Sequence, residues 1–262
     1  MVLTAHNASR VLVAGTGAIG RRHISNLLRL RPQASIALLR DGALQDDYSR
    51  SLGAEVLGSL EQALAWRPDL AVVATPSDRH REVVAPLLRA GVASYLEKPL
   101  VIDADGLAEL KNMAALSWLP PTQVGCVLRF LPSLRQVNSW MRDGAVGTVV
   151  RASLEVGQWL PDWRLGQDYR SSYSADSARG GGVVLDLIHE IDLACWLFGG
   201  PKTGCPQLLG AWGGRESRLE ISSEDVALLA LRSDSGALLS LQLDYVARTN
   251  GTSTSYEPVD KC

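Results

Sequence analysis

Six residues, Gly15-Thr16-Gly17-Ala18-Ile19-Gly20, separate an apolar strand-like run, Val11–Ala14, from a helical pattern that continues to about Leu30. This segment limits the fold more than any other. Gly15 permits a tight turn out of the strand, and Gly20 lets helix and strand pack closely. Gly17 leaves the backbone open to close approach by a ligand. A strand that turns directly into a helix begins a βαβ unit, and such units build a parallel sheet with helices across its faces.

The residues that follow repeat the alternation. Ser35–Leu39 reads as a second strand, Glu61–Trp66 as a short helix and Leu70–Ala74 as a third strand. A helix over His80–Ala90 leads through Gly91 to the strand Val92–Leu96. A helix near Ala104–Ser117 and a strand Gln123–Leu128 complete this half. Beyond it, Thr148–Gln158, Leu208–Trp212, Val226–Arg232 and Ala237–Val246 read as longer strands, with a helix near Leu134–Arg142 and a buried helix after Gly182. The expected fold class is therefore α/β: an N-terminal Rossmann dinucleotide-binding domain over residues 1–128, and an α+β domain with a mostly antiparallel sheet over 129–262. The polar, aperiodic tail after Arg248 is expected to be loosely ordered.

The chain has 262 residues, 46% hydrophobic and 21% charged, with a formal net charge of −2. It can bury a core, and its basic pairs and triplets, Arg21-Arg22 and Arg79-His80-Arg81, are too short for a nucleic-acid surface. Residues 1–10 lack the apolar core of a signal peptide, and no apolar run has the roughly 18 residues of a spanning helix. A cytoplasmic protein with neither nucleic-acid nor membrane partners is expected. Cys126, Cys195, Cys205 and Cys262 show no CxxC spacing. Cys126 and Cys195 read as buried small hydrophobes, and no metal site is expected.

In its strand-to-helix setting, the glycine loop points to a dinucleotide whose pyrophosphate rests on the helix N-terminus. The end of the second strand discriminates NAD from NADP: an acidic residue suits the ribose 2′-hydroxyl, an arginine the 2′-phosphate. Here Leu39 is followed by Arg40 and Asp41, so both are offered. A register ending on Arg40 favours NADP, and a shift by one residue favours NAD. Thr75-Pro76 and Glu97-Lys98-Pro99 also follow strands, where ligands bind in open α/β sheets. Lys98 reads either as a loop lysine paired with Glu97 or as a group positioned by the rigid proline after it.

Gly180–Asp192 opens with three glycines and places Asp186, His189 and Asp192 within about 120° of one helical face. Charges on an otherwise apolar helix require partners. A structural hydrogen-bond cluster and a set of acid/base groups lining a cleft both satisfy that requirement.

Together these stretches resemble the glucose–fructose oxidoreductase, inositol dehydrogenase and MocA family of sugar-type dehydrogenases. The likeness rests on Gly15–Gly20, Ala74-Thr75-Pro76 with His80, Glu97-Lys98-Pro99, the strand ending in Arg129, and Gly180–Asp192, and covers about residues 10–248. It implies that Lys98 and His189 are catalytic with Asp186 assisting. It also implies that the second, mostly antiparallel domain binds substrate and commonly forms an oligomer interface. The implied cofactor set is Gly15, Thr16, Gly17, Ala18, Ile19, Gly20, Arg40, Asp41, Thr75, Pro76, His80, Glu97 and Lys98. Two departures stand out. Asp186 lies three residues before His189, where the family pattern has four, and the chain is shorter at its C-terminus than family members usually are. The form around Trp163-Arg164, Asp168-Tyr169-Arg170 and Tyr173-Ser174-Ala175 resembles a branch found in surface-polysaccharide and acidic-sugar pathways.

On this reading, His189 removes the proton of a secondary alcohol while Lys98 stabilises the developing alkoxide, with hydride passing to NAD or NADP. Asp186 and Asp192 orient the imidazole or bind a neighbouring hydroxyl. Arg129, Tyr169, Arg170 and Asp192 are the substrate-binding candidates, although Arg129 and Arg170 fit a plain salt bridge equally well. The substrate is a small sugar-type molecule, and a homo-oligomer is expected if the sheet is intact. The competing expectations are a non-catalytic dinucleotide-binding regulator or inactive truncated relative, and a reductase of a non-sugar carbonyl or imine.

Overall fold

The computed structural model describes residues 9–42, 44–115, 119–164, 166–200 and 204–248. The polar tail and Cys262 lie outside the described residues. The chain divides into two compact units, Met1–Cys126 and Val127–Cys262.

Among the described residues, the first unit holds a six-stranded parallel sheet: β1 Arg10–Ala14, β2 Ser35–Leu39, β3 Glu55–Leu57, β4 Leu70–Val73, β5 Ala93–Leu96 and β6 Thr122–Val124. Their order across the sheet is β3-β2-β1-β4-β5-β6. Every pairing is parallel, so the connections must cross over the faces. The crossovers carry α1 Ala18–Leu30, α2 Asp47–Ser51, α3 Leu60–Ala65, α4 His80–Arg89 and α5 Ala104–Ala114. The strands are apolar on both faces because helices cover both. Val11, Val13, Ile36, Leu38 and Val72 pack with Ile24 of α1. Leu12, Ala14, Leu39 and Val73 pack with Val84, Leu87 and Leu88 of α4. Each fully buried leucine contributes about 1.5–3 kcal/mol by leaving water. The chain reverses direction across the sheet between β1 and β4, so the carboxyl ends of those strands flank a crevice where a ligand can bind.

The second unit contains α6 Pro132–Arg142, β7 Arg151–Gly157, α7 Val183–Asp186, α8 Ile188–Phe198, β8 Gln207–Gly214, β9 Val226–Arg232 and β10 Leu238–Asp244. Its sheet runs β7-β10-β9-β8. β8–β9 and β9–β10 are antiparallel, whereas β10–β7 is parallel. One face packs Leu231, Leu239 and Leu241 against Ala194 and Ile191 of α8. The opposite face carries the cross-strand row Trp212, Leu228, Gln242 and Glu155, with Trp212 62% exposed.

Several expectations change. The short α2 and β3 carry too little apolar repeat to stand out in the sequence. The strand expected over Gln123–Leu128 stops at Val124, and Val127–Phe130, including Arg129, forms a 3₁₀ turn. The single buried helix after Gly182 is two helices: Leu187 leaves the helical conformation at φ −99°, ψ 28°. Most of α8 is half-buried, with only Ala194 fully enclosed. Cys126 and Cys195 are likewise half-buried rather than core residues, and Cys195 pairs with Cys205 in a disulfide. Among the described residues, no helix is long and apolar enough to cross a membrane.

Candidate active site: two sets of residues on two units

The glycine loop has the geometry of a dinucleotide cradle. Gly15 adopts φ +91°, and a side chain there would meet the Ala74 carbonyl at the end of β4. Its N–H donates to the Leu39 carbonyl at 3.0 Å, joining the loop to the end of β2. A side chain at Gly20 would strike the Gly15 carbonyl, whereas one at Gly17 would meet nothing within 4 Å. Gly17 therefore leaves open space directly before α1, whose N-terminal amides carry partial positive charge. Beside the loop, the buried Thr75 Oγ1 has no hydrogen-bond partner among the described residues. An open helix N-terminus and an unsatisfied hydroxyl suit a phosphate-bearing, hydroxyl-rich ligand, so these residues fit a dinucleotide.

The two residues after β2 are both engaged. Arg40 bends back to Asp46, with Nη1 donating to Oδ2 at 2.8 Å, and to the Leu44 carbonyl at 2.5 Å. Asp41 receives Arg79, from the turn after β4, at 2.5 and 3.2 Å. This pair therefore connects the ends of the two strands that flank β1.

Lys98 is half-buried just beyond β5 and precedes Pro99 through a cis peptide bond. Its neighbour Glu97 takes a hydrogen bond from His23 of α1 at 2.6 Å. His23 also meets Tyr95 edge-on, with ring centroids 5.1 Å apart. Sequence reading missed His23; its only signal is its place one helical turn after Gly20. His80 was expected to touch the cofactor. It is 1% exposed, with Nδ1 2.8 Å from the Pro99 carbonyl and Nε2 2.9 Å from the Thr75 carbonyl. Enclosed in this way, it acts on a ligand only through the two loops that it joins.

In the second unit, the glycine run lets the chain pass close to its neighbours. Gly182, at φ +115°, lies against the Glu224 carboxylate, which accepts from Val184 N–H at 3.1 Å. Asp186 ends α7, 4% exposed, and each of its oxygens takes a tyrosine hydroxyl: Tyr173 at 2.6 Å and Tyr245 at 2.7 Å. Burial, reinforced by the Asp186 charge, pushes both phenols well above their usual pKa. His189 lies beyond the Leu187 break, on the first turn of α8. Asp186, His189 and Asp192 therefore do not share one continuous helical stripe.

All four substrate-binding candidates have protein partners. Arg129 and Asp192 form a two-point ion pair at 2.8 and 2.5 Å. Arg170 pairs with Asp168 at 2.7 Å and reaches Glu220 at 3.3 Å. The fourth, Tyr169, accepts the Glu220 N–H at 3.3 Å. Their local charge is thus largely satisfied within the protein. Tyr245 was not foreseen, because nothing local marks an inward-facing tyrosine just past a strand end as a carboxylate partner.

Residues 9–117 match the description "Oxidoreductase family, NAD-binding Rossmann fold", and residues 134–257 match the GFO/IDH/MocA C-terminal domain. The chain belongs to the Gfo/Idh/MocA oxidoreductase family. Its first unit is the family's NAD-binding Rossmann domain. Among curated relatives, inositol 2-dehydrogenase of Corynebacterium glutamicum (strain R) is 26% identical over 198 residues, covering 72% of this chain and 54% of the relative. The rhizopine catabolism protein MocA of Rhizobium meliloti is 27% identical over 202 residues, covering 74% and 58%. This Gfo/Idh/MocA chain thus spans little more than half the length of those relatives. The crystal structure of the WlbA dehydrogenase from Bordetella pertussis, in complex with NADH and UDP-GlcNAcA, shares the fold. Its TM-score is 0.78 at 23% identity, covering 91% of this chain and 72% of that one.

Proposed function

We propose that this chain is an NAD-dependent dehydrogenase that oxidises a secondary alcohol of an inositol, sugar or nucleotide sugar. The observation that carries the reading is the placement of Lys98. It follows β5 at the carboxyl edge of the same sheet whose β1 edge bears the open Gly17 cradle. The names of the relatives support the substrate class: inositol 2-dehydrogenase, and a WlbA dehydrogenase crystallised with UDP-GlcNAcA.

Gly15–Gly20 and the N-terminus of α1 bind the pyrophosphate, and Thr75 supplies a hydroxyl partner. When bound, the nicotinamide supplies the hydride acceptor. His189 takes the alcohol proton, because imidazole alone among ordinary side chains titrates near neutrality. The Lys98 ammonium donates to the alcohol oxygen and stabilises negative charge as it develops there. Asp186, held by two tyrosine hydroxyls, anchors the start of the His189 helix. The open sheet face around Trp212 and Leu228 supports a homo-oligomer.

The test is turnover on a panel of inositols, sugars and nucleotide sugars, read as absorbance of the reduced nicotinamide. Lys98→Ala and His189→Ala are expected to abolish it while NADH binding persists. Wild-type turnover in either variant overturns the assignment of that residue. NADH binding without turnover by the native chain across the panel favours the non-catalytic reading.

A further inference from the structure

We propose that Asp46 is the residue that makes this chain select NAD over NADP, by holding Arg40 away from a 2′-phosphate. The inference rests on the dinucleotide reading of the first unit. Arg40 directly follows β2, whose last residue, Leu39, accepts the Gly15 N–H of the cradle. A guanidinium at this position would ordinarily attract a 2′-phosphate. Here both of its terminal nitrogens are committed, Nη1 to Asp46 and Nη2 to the Leu44 carbonyl, and the side chain is only 17% exposed.

Asp46 is well placed to keep it there. It caps α2: Oδ1 accepts the Ser49 N–H at 2.8 Å, and the Ser49 hydroxyl accepts the Asp46 N–H at 2.9 Å. One carboxylate oxygen thus fixes the residue to the helix, leaving Oδ2 for Arg40. The interaction is strong enough that Arg40 and the Ser49 cap hold the Asp46 carboxyl well below the usual carboxylate range.

The arginine that follows β4 is neutralised in the same manner. Arg79 is paired with Asp41, so the arginines after the two strands that flank β1 each have a carboxylate partner. A 2′-phosphate would have to break the Arg40–Asp46 pair and leave the Asp46 carboxylate close to its own negative charge. A 2′-hydroxyl requires neither change. The exposed Asp41 carboxylate can accept a hydrogen bond from it.

The experiment is titration of the purified chain with NADH and with NADPH, read by ligand fluorescence and calorimetry, with no substrate present. The native chain is expected to bind NADH at least about tenfold more tightly. Asp46→Asn keeps a side-chain oxygen for the Ser49 cap but removes the charge. It should shrink that preference by about tenfold, with circular dichroism and melting temperature unchanged. Asp46→Ser, also a good cap, serves if the asparagine variant misfolds. Adding Arg40→Ala should abolish the NADPH affinity gained. Equal binding of the two dinucleotides by the native chain overturns the proposal, as does an unaltered preference in folded Asp46 variants. A native chain that binds neither overturns the dinucleotide reading itself, and the proposal with it.

Discussion

The Tyr245 hydroxyl donates to Asp186 Oδ2 at 2.7 Å, fastening the residue just past β10 to the end of α7, 59 positions earlier in the chain. Tyr173 completes the clamp on the other oxygen. A buried carboxylate stripped of a donor bears an uncompensated desolvation penalty. Tyr245→Phe and Tyr173→Phe are therefore each expected to lower stability by about 1–3 kcal/mol in urea unfolding. Midpoints equal to that of the native protein in both variants would show that the clamp is energetically idle.

The same environment makes an alkaline prediction. The chain has six tyrosines. Burial, aided by the Glu97 charge, pushes the Tyr95 phenol up to about 12, and Tyr173 and Tyr245 are raised further. Unfolded phenols ionise near 10, roughly. Because these folded values lie above the unfolded one, their stabilising contribution is whole below about pH 10 and is lost as pH climbs toward the folded values. Spectrophotometric titration should show these three ionising late, together with alkaline unfolding. Smooth ionisation of all the phenols near pH 10 in the folded protein would contradict the buried placement.

The glycine loop separates binding from folding. Gly17→Ala adds a methyl group that meets nothing, so stability should change by less than about 1 kcal/mol while NADH affinity falls. Gly20→Ala drives its methyl into the Gly15 carbonyl and should destabilise the fold by about 1–3 kcal/mol. Thermal melts and NADH titration of the two variants decide the matter. A destabilised Gly17→Ala protein would refute the open-face assignment.

Arg129 and Asp192 offer a test of structural against substrate-binding roles. Their pair is two-pointed, but the arginine side chain is 40% exposed, so solvent screens it. A double-mutant cycle with Arg129→Gln and Asp192→Asn should yield a stability coupling of about 1 kcal/mol or less, diminished by added salt. Zero coupling, accompanied by a raised substrate KM in each variant, would return both residues to the substrate.

Local constraints were the most legible part of this sequence. Gly15–Gly20 reads correctly because its demands on backbone angle and clearance are met within one turn, and the apolar runs of β1, β2, β4 and β5 announce a sheet covered on both faces. The continuity of the helix after Gly182 was misread because an apolar pattern survives a one-residue interruption at Leu187. The partners of Asp186 lie 13 and 59 residues away, a separation that no periodicity encodes. Arg40 was correctly located, but its direction is set by Asp46, whose own orientation follows from capping a helix too short to foresee.

The interruption at Leu187 also bears on the spacing from Asp186 to His189. In an unbroken helix each added residue turns everything beyond it by about 100°, so three- and four-residue spacings point a side chain differently. A non-helical link transmits no such rotational phase. The heading of His189 is therefore reckoned from the start of α8 at Ile188, and not from a helical phase running back to Asp186.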